Sequence, residues 1–424
     1  MSAQFEPAEE IPKALIVTII GCGGLSGNRN QAPEPQKGYS GRVSFSLYAH
    51  IPYCQAKCPY CDFNSHAASA WPEEDYTRAL IAEMNHRAEQ APFSGNSVST
   101  IFFGGGTPSL FQPSSIAKIL DAAARAFGID RDAEITLEAN PGTVDQDKLS
   151  GFRAAGVNRL SFGAQSFNDA TLKFLGRIHS AEETRQAAKM AHRAGFQRLN
   201  LDLIFAVPGQ TRTDVLHDIA EAAALEPDHI SAYNLTFEEG TVFFTEMRHG
   251  KIHPLESDEQ AEMFAAVREE LPRRGYRMYE ISNYAQPGRG CRHNLTYWHN
   301  ETYLGIGAGA HNFARDGGGG RRWWNERGPA RYIALATETG IAETGSETVA
   351  PATARGEYVF LNLRLREGFA REDFNSRFAV GFDEIFGARA ARLFEGGLLE
   401  NDAGRIRLTD RGLELADSVF AEFV

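Results

Sequence analysis

The sequence has no long hydrophobic run, few cysteines and no excess of basic residues. Its longest apolar stretch near the start, Ala14 to Ile20, is too short to cross a bilayer. Five cysteines in 424 residues is an odd number and implies no disulfide framework. A formal net charge of −12 argues against the basic surface of a nucleic-acid-binding protein. We therefore expect a soluble globular protein that is long enough for more than one domain.

The first 41 residues are predicted to form a loose leader. Residues 21–41 are rich in Gly, Pro, Asn and Gln, which favour turns. Cys22 follows an apolar run and faintly resembles a lipoprotein cleavage site. However, Glu6, Glu9 and Glu10 precede that run, and this is the wrong charge for an export signal. We predict that the protein stays in the cytoplasm.

Three cysteines, Cys54, Cys58 and Cys61, lie in one short segment, YAHIPYCQAKCPYCDF. Their spacing, C-x3-C-x2-C, lets three thiolates converge on one metal centre but leaves it one ligand short. Iron–sulfur clusters that only carry electrons use four cysteines, whereas catalytic metal centres keep one position open. A zinc site completed by His50 or His66 is the alternative. A thiolate centre also requires a reducing compartment.

Short apolar runs alternate with helix-period segments between Phe45 and about Leu235. The predicted strands are Phe45–His50, Val98–Phe103, Glu134–Glu138, Asn158–Phe162, Arg198–Phe205 and His229–Leu235. This alternation predicts an α/β fold with a parallel sheet and right-handed crossovers. We expect six such units to form a partial barrel. We call the open end of this barrel, at the carboxyl ends of the strands, its mouth.

The ends of these predicted strands carry polar or glycine-rich sequences. In parallel α/β folds, ligands bind at the carboxyl ends of the strands. The triple glycine Gly104 to Gly106 allows backbone amides to approach a charged ligand, although it can equally be a simple turn. The candidate polar side chains at the other exits are Glu138, Gln165, Arg177 and Asp202, for which the alternative role is that of solvated surface groups.

The chain after the sixth strand has a different pattern. We divide the sequence into a leader (1–41), a barrel (42–275), a connecting segment (276–350) and a C-terminal domain (351–424). In the last of these, two helices precede a short strand, a turn and a further helix, an order like that of a winged helix. The acidic composition does not favour DNA binding for this domain.

The motifs together resemble the radical S-adenosylmethionine (SAM) superfamily, and within it the oxygen-independent coproporphyrinogen III oxidase family. The resemblance rests on the cysteine loop and on GGGTP, LEANP, LSFGAQSF, GRIH, LDLIFAVPGQT and YEISNYA. It extends from about Tyr48 to the C-terminus. It implies a TIM-like partial (β/α)6 radical SAM barrel followed by a small helical, winged-helix-like domain.

The same resemblance implies which residues hold the cofactors. Cys54, Cys58 and Cys61 are expected to bind a 4Fe–4S cluster whose fourth iron is chelated by SAM, with Tyr60 as the usual aromatic residue of this loop. The expected SAM contacts are Tyr48, Gly105, Glu138, Asp202 and Thr236. In the oxidase a second SAM lies near the positions that match Gly106, Thr107, Gln165 and Arg177. No catalytic residue is assigned.

Two features favour the heme-chaperone branch of this family over the oxidase. The oxidase has a further cysteine two residues after the triad, and here that position is Phe63. The chaperone branch carries an HNxxYW motif implicated in heme binding, and the motif is complete here. Its residues are His293, Asn294, Tyr297 and Trp298.

The chemistry of this motif is compatible with heme. His293 can ligate heme iron, and Tyr297 and Trp298 can cover a flat apolar macrocycle. A core histidine packed beside two aromatic residues is the alternative. His311 and Cys291 remain alternative axial ligands.

The resemblance therefore implies a heme chaperone that transfers heme to apo-hemoproteins, expected to be those of the respiratory chain. It also implies a homodimer with at most transient, peripheral membrane contact. The competing hypothesis is an enzyme that decarboxylates two propionates of coproporphyrinogen III by radical chemistry supplied by the cofactor. Phe63 counts against this enzyme. A radical enzyme acting on an unrelated substrate is a third possibility.

Overall fold

The computed structural model describes residues 44–424, so the predicted leader lies outside the described residues. Most strands belong to one large sheet. The strands are β1 Ser44–Ile51, β2 Tyr53–Cys54, β3 His66–Ala67, β4 Ser97–Gly105, β5 Ile129–Ala139, β6 Arg159–Gln165, β7 Leu199–Phe205, β8 His229–Asn234, β9 Arg277–Glu280, β10 Asn283–Ala285, β11 Tyr303–Ile306, β12 His311–Asp316, β13 Gly319–Asn325, β14 Glu343–Val349, β15 Phe369–Ala370, β16 Leu399–Asp402 and β17 Arg405–Leu408.

Helices connect most of these strands. The helices are α1 Glu73–Ala88, α2 Pro113–Ala126, α3 Gln146–Ala155, α4 Asp169–Phe174, α5 Ala181–Arg193, α6 Arg212–Ala224, α7 Val242–Arg248, α8 Ser257–Arg273, α9 Arg292–Trp298, α10 Pro329–Thr339, α11 Pro351–Leu363, α12 Arg371–Phe378, α13 Phe382–Glu395, α14 Asp410–Glu414 and α15 Ala416–Ala421. No helix within residues 44–424 combines the length and apolar character needed to cross a bilayer.

The central part of the large sheet has the topology of a partial barrel. The full strand order is β14-β13-β12-β11-β1-β4-β5-β6-β7-β8-β10-β9. The strands β1, β4, β5, β6, β7 and β8 are neighbours in chain order, and each pair is parallel. This arrangement confirms the predicted α/β fold class, and each of the predicted strands lies within a few residues of its observed position.

Side-chain caps show how the sequence fixes the helices of the barrel. Ser180 accepts a hydrogen bond from the Glu183 amide, and the Glu183 carboxylate accepts one from the Ser180 amide. This capping box satisfies backbone donors that would otherwise lack partners at the start of α5. Asp145 accepts from the amide of Lys148 at 2.8 Å and caps the start of α3.

The segment expected to connect the two domains extends the large sheet at both edges. On one side, β11 pairs in parallel with β1, and β12, β13 and β14 follow as antiparallel strands. On the other side, β10 pairs with β8 and β9 pairs with β10. The sheet therefore carries additional strands on each side of its six parallel strands.

A buried carboxylate holds the turn between β11 and β12. Glu83 of α1 accepts hydrogen bonds from the Gly307 amide at 3.0 Å, from Asn325 Nδ2 at 2.7 Å and from the Tyr332 hydroxyl at 2.7 Å. The side chain of Glu83 is fully buried. These bonds satisfy the carboxylate in the core and fix the position at which β12 begins.

The C-terminal region has a core of its own. Helices α11 to α15 pack around the small antiparallel sheet β15-β17-β16, and the packed apolar residues include Phe374, Phe382 and Ile406. Trp298, the last residue of α9, belongs to this core. Helix α9 therefore joins the barrel to the C-terminal region.

Candidate functional site

The three clustered cysteines lie directly after β1, at the carboxyl end of the barrel strands. Cys54 ends β2 and is buried, whereas Cys58 and Cys61 are half-buried in the loop before β3. Each sulfur has a polar side chain next to it. These contacts are Thr107 Oγ1 to Cys54 Sγ at 3.4 Å, Arg177 Nη1 to Cys58 Sγ at 3.4 Å, and Cys61 Sγ with Ser65 Oγ at 3.7 Å.

The electrostatics of the loop suit thiols that become ligands. Burial raises the pKa of the Cys54 and Cys61 thiols, and the nearby Cys58 raises both pKa values further. Without a metal these two thiols are therefore protonated at neutral pH. A bound cation that stabilises the thiolate form would reverse this preference.

The described residues fit a cluster better than a single zinc ion. Within residues 44–424 no three His, Cys, Asp or Glu side chains lie close enough together to hold one metal ion. His50, an alternative zinc ligand, uses both ring nitrogens, which contact the Tyr48 hydroxyl at 3.0 Å and the Asn64 carbonyl at 2.9 Å. In an iron–sulfur cluster, by contrast, each cysteine binds a different iron atom, so three well-separated sulfurs suffice.

The glycines at the end of β4 pack against the cysteine loop. Gly105 has φ +120°, and a Cβ there would lie 2.6 Å from the His50 ring. A Cβ on Gly106 would lie 2.6 Å from the Tyr53 carbonyl oxygen and 3.0 Å from Cys54 Sγ. The close approach of these two segments thus requires glycine. The Gly105 amide itself donates to Glu138 Oε2 at 3.2 Å.

Two predicted carboxylates, Glu138 and Asp202, face the interior from β5 and β7. Burial and the charge of Asp202 raise the pKa of Glu138 to about 8. Burial also raises the pKa of Asp202, although Ser161 Oγ and Asn200 Nδ2 donate to its oxygens at 3.1 and 2.8 Å. Such a pair can accept hydrogen bonds from the hydroxyl or amino groups of a ligand.

Gln165 and Arg177 come together at the end of β6. Gln165 has φ +65°, which is uncommon for a residue other than glycine. Arg177 Nη2 donates to the Gly163 carbonyl at 3.0 Å, and a Cβ on Gly163 would lie 2.8 Å from Gln165 Nε2. Through Nη1, Arg177 also reaches Cys58. The structure therefore places these two predicted residues beside the cysteine loop.

The other predicted cofactor residues lie around the same end of the sheet. Tyr48 is half-buried on β1, and Thr236 is exposed just after β8. Tyr60 packs against Phe243, with 6.3 Å between the ring centroids. The predicted set thus surrounds the carboxyl ends of the strands, and Tyr60 lies against a satellite apolar cluster at its edge.

His293 of the HNxxYW motif is buried inside the barrel, with 1% of its surface exposed. Its Nδ1 lies 2.7 Å from Thr100 Oγ1 and its Nε2 lies 2.9 Å from the Tyr297 hydroxyl. Its ring stacks on Phe102 with 5.1 Å between centroids. A ligand to heme iron needs a ring nitrogen with no other partner, so one of these hydrogen bonds must open before His293 can bind iron.

The rest of the motif does not form one flat aromatic surface. Tyr297 faces the barrel and contacts Tyr303, whereas Trp298 packs into the C-terminal core beneath Arg364. Asn294 is half-buried on α9. In this arrangement the motif connects two apolar cores.

Arg159 is a notable interior residue that the sequence analysis did not select. It lies on β6, is 2% exposed, and its Nε has no hydrogen-bond partner among residues 44–424. Its charge interacts with Glu134 and Cys291. An arginine near the start of a predicted strand was the available sequence signal.

Sequence and structure comparisons identify the relatives of this chain. Residues 48–222 match the radical SAM superfamily, and residues 349–415 match the HemN C-terminal domain. The chain is 36% identical over 380 residues to heme chaperone HemW of Bacillus subtilis, covering 89% of this chain and 99% of that protein. It is 45% identical over 269 residues to heme chaperone HemW of Escherichia coli, covering 63% of this chain and 69% of that protein.

A solved structure has the same fold. The E. coli coproporphyrinogen III oxidase HemN, described as a radical SAM enzyme, matches with a TM-score of 0.77 and 24% identity over 90% of each chain. The radical SAM domain implies a 4Fe–4S cluster and SAM as cofactors. On the extent of its match to the bacterial relatives, the chain belongs to the HemW family of the radical SAM superfamily.

Proposed function

We propose that this protein is a heme chaperone that binds heme and transfers it to apo-hemoproteins. The observation that carries the proposal is the similarity to a protein named heme chaperone HemW over 89% of this chain and 99% of that relative. Membrane-bound respiratory hemoproteins are the recipients we propose, reached by transient contact. A homodimer in the cytoplasm is the proposed working form.

Cys54, Cys58 and Cys61 would hold the cluster, and SAM would complete it at the open iron. The cluster supplies one-electron redox chemistry when bound. The polar contacts to the cysteine sulfurs from Thr107, Arg177 and Ser65 support this assignment. These donors can stabilise thiolate charge in a loop from which water is partly excluded.

The residues that would hold SAM lie at the neighbouring strand ends. Glu138 and Asp202 are hydrogen-bond acceptors suited to ribose hydroxyls or to the methionyl amine, and Tyr48, Gly105 and Thr236 complete the proposed site. Gly106, Thr107, Gln165 and Arg177 are the positions that the resemblance to the oxidase family would assign to a second SAM. Arg177 and Thr107 already contact the cysteine sulfurs, so we assign them to the cluster.

The competing function is the oxidative decarboxylation of coproporphyrinogen III. Phe63 argues against it because it occupies the position of the additional oxidase cysteine. Its side chain is 39% exposed beside the cluster loop, where it offers apolar surface and no thiol. The structural likeness to HemN shows a shared fold, which both functions can use.

The two functions can be separated with one anaerobic preparation of the reconstituted protein. We expect ferric heme to bind and to transfer to the apo form of a b-type respiratory cytochrome, as followed by the absorbance of the holo-cytochrome. We expect no vinyl-group formation from coproporphyrinogen III with SAM and a reductant, as checked by chromatography of the porphyrins. Porphyrinogen turnover by the wild-type protein would overturn the chaperone proposal.

A further inference from the structure

We infer that His311 is the axial ligand to heme iron, in a site that it forms with Trp324 and Arg327 at the mouth of the barrel. This inference rests on the proposed function, because it locates the heme that a chaperone of this family would carry. It assigns the iron to a residue outside the HNxxYW motif.

His311 is a half-buried histidine with an unused ring nitrogen. Its Nδ1 is buried and has no hydrogen-bond partner within the described part of the chain. Buried polar atoms are nearly always paired, so the unpaired Nδ1 of His311 calls for a partner, and a bound ligand can supply it. Burial, together with Arg322 and Arg327, lowers the pKa of His311 to about 4, so the imidazole is neutral at neutral pH.

The position of His311 places it on the interior side of the sheet. Side chains two residues apart on a strand share a face, so His311 lies on the face of Phe313. Phe313 pairs with Tyr303, whose ring contacts Tyr297 of α9 inside the barrel, at 4.8 Å between centroids. His311 is the first residue of β12 and interacts electrostatically with His50 at the end of β1. It therefore stands at the mouth, next to the cysteine loop.

The turn before His311 is tied directly to that loop. Asn64 Nδ2 donates to the carbonyls of Ala308 and Arg327 at 2.9 and 3.0 Å. The Glu83 carboxylate also accepts a hydrogen bond from the Gly307 amide in the same turn. Phe63 precedes Asn64 in the chain, and its exposed ring adds apolar surface to the cysteine loop. These hydrogen bonds hold the turn before His311 in place next to the cysteine loop.

Trp324 supplies a flat apolar surface next to the imidazole. It is paired with His311 across β12 and β13, and the two ring centroids lie 6.1 Å apart at an interplanar angle of 31°. A Cβ on Gly345 would lie 2.5 Å from the Trp324 ring, so glycine there allows the indole to lie close against β14. The indole can pack against a porphyrin ring that His311 binds.

Arg327 supplies a cation for the propionates. Its side chain is exposed, forms no salt bridge within residues 44–424, and interacts electrostatically with both His311 and His66. Lys57 also interacts electrostatically with His66. Cations that flank an apolar surface match the two carboxylates of heme, and arginine can bind a carboxylate through two parallel hydrogen bonds.

The other candidate ligands are less accessible in this structure. His293 uses both ring nitrogens and is buried. Cys291 is fully buried, and burial, as the largest cause, raises the pKa of its thiol to about 12. Heme binding through either residue would require the interior of the barrel to open, whereas His311 lies at its mouth.

The test titrates ferric heme into the reconstituted protein and into the variants His311→Ala, His293→Ala and His192→Ala. His192 is the control, since it is exposed on α5, away from the mouth, where its Nε2 contacts the Leu225 carbonyl. We expect His311→Ala to weaken heme affinity at least about tenfold and to change the heme spectrum. We expect His293→Ala and His192→Ala to retain the wild-type spectrum.

A rescue experiment covers the case in which His311→Ala perturbs folding. In His311→Gly, added imidazole should restore the wild-type electron paramagnetic resonance spectrum of ferric heme. An unchanged spectrum and affinity in His311→Ala would overturn the ligand assignment while leaving the chaperone proposal intact. Failure of the wild-type protein to bind heme at all would instead overturn the proposed function.

The role of Arg327 is tested with heme whose propionates are blocked as methyl esters. Arg327→Gln should weaken the binding of heme but not that of heme dimethyl ester. Arg331→Gln is the matched control, because Arg331 is exposed and pairs with Glu326. Equal loss of affinity for both porphyrins in Arg327→Gln would show that Arg327 does not bind the propionates.

Discussion

Arg177 Nη1 donates a hydrogen bond to Cys58 Sγ at 3.4 Å, while Nη2 of the same guanidinium donates to the Gly163 carbonyl at 3.0 Å. The side chain thus links the cysteine loop to the end of β6. A donor with a positive charge favours the more negative, reduced state of a cluster, because hydrogen bonds to the sulfurs tune the reduction potential. We therefore expect Arg177→Gln to make the midpoint potential of the reconstituted cluster more negative.

This shift can be measured by a redox titration followed by electron paramagnetic resonance. Arg193→Gln is the control, since Arg193 is an exposed arginine that contacts Gln146 on the outside of the barrel. An Arg177→Gln cluster with full iron content and an unchanged potential would contradict the role assigned to this contact.

Gly106 leaves no space for a methyl group beside Cys54. We expect Gly106→Ala to displace the loop that carries Cys54, because the new Cβ would lie 2.6 Å from the Tyr53 carbonyl oxygen and 2.9 Å from Pro52 C. Most of the iron and acid-labile sulfide should be lost after reconstitution. Gly387→Ala is the control, since its nearest neighbour on α13 would be at the ordinary distance of 3.5 Å. Full iron content in Gly106→Ala would show that the loop can adjust.

The barrel could be predicted from sequence because its signals are local. Each parallel strand is a short apolar run followed by a polar or glycine-rich exit, and the order of the strands in the sheet follows the order in the chain. The three cysteines and Glu138 could be placed at the mouth by the same rule. The location of these residues follows from their spacing and from their position after a strand, so no long-range contact had to be predicted.

The contacts within the motif that follows the barrel could not be predicted in this way. The partners of His293 are Thr100, 193 positions away, and Tyr297 on its own helix. Trp298 points toward the C-terminal core, and β11 to β14 extend the sheet where a connecting segment was expected. These arrangements depend on packing between segments that are distant in the chain. The spacing of residues within a short motif gives no information about such packing.

Glu138 makes the stability of the cofactor-free protein depend on pH. Its pKa is raised to about 8 by burial and by Asp202, above the value in an unfolded chain. The folded state therefore binds more protons than the unfolded state between these two pKa values. The stabilising contribution is present at low pH and is lost as pH rises toward 8, with a slope of at most about 1.4 kcal/mol per pH unit.

Glu138→Gln should remove this dependence. We expect the midpoint of thermal unfolding of this variant to fall less steeply with pH than that of the wild-type protein. The difference should appear between about pH 5 and about pH 8, the range between the two pKa values. Glu182→Gln, which changes an exposed carboxylate on α5, should leave the wild-type profile unchanged. Identical profiles for Glu138→Gln and the wild-type protein would mean that Glu138 titrates as it does in water.

Trp298 is predicted to stabilise the junction between the barrel and the C-terminal region, without contacting heme. It is 4% exposed, and the Arg364 guanidinium lies 4.4 Å from its ring centroid. Trp298→Ala should reduce the free energy of unfolding by about 3–5 kcal/mol, as measured by urea unfolding. Trp298→Phe should cost less, because the Trp298 Nε1 atom has no hydrogen-bond partner to lose within the described chain. If heme affinity fell sharply in the folded Trp298→Phe protein, the indole would have to contact heme, and the motif rather than the His311 site would line the pocket.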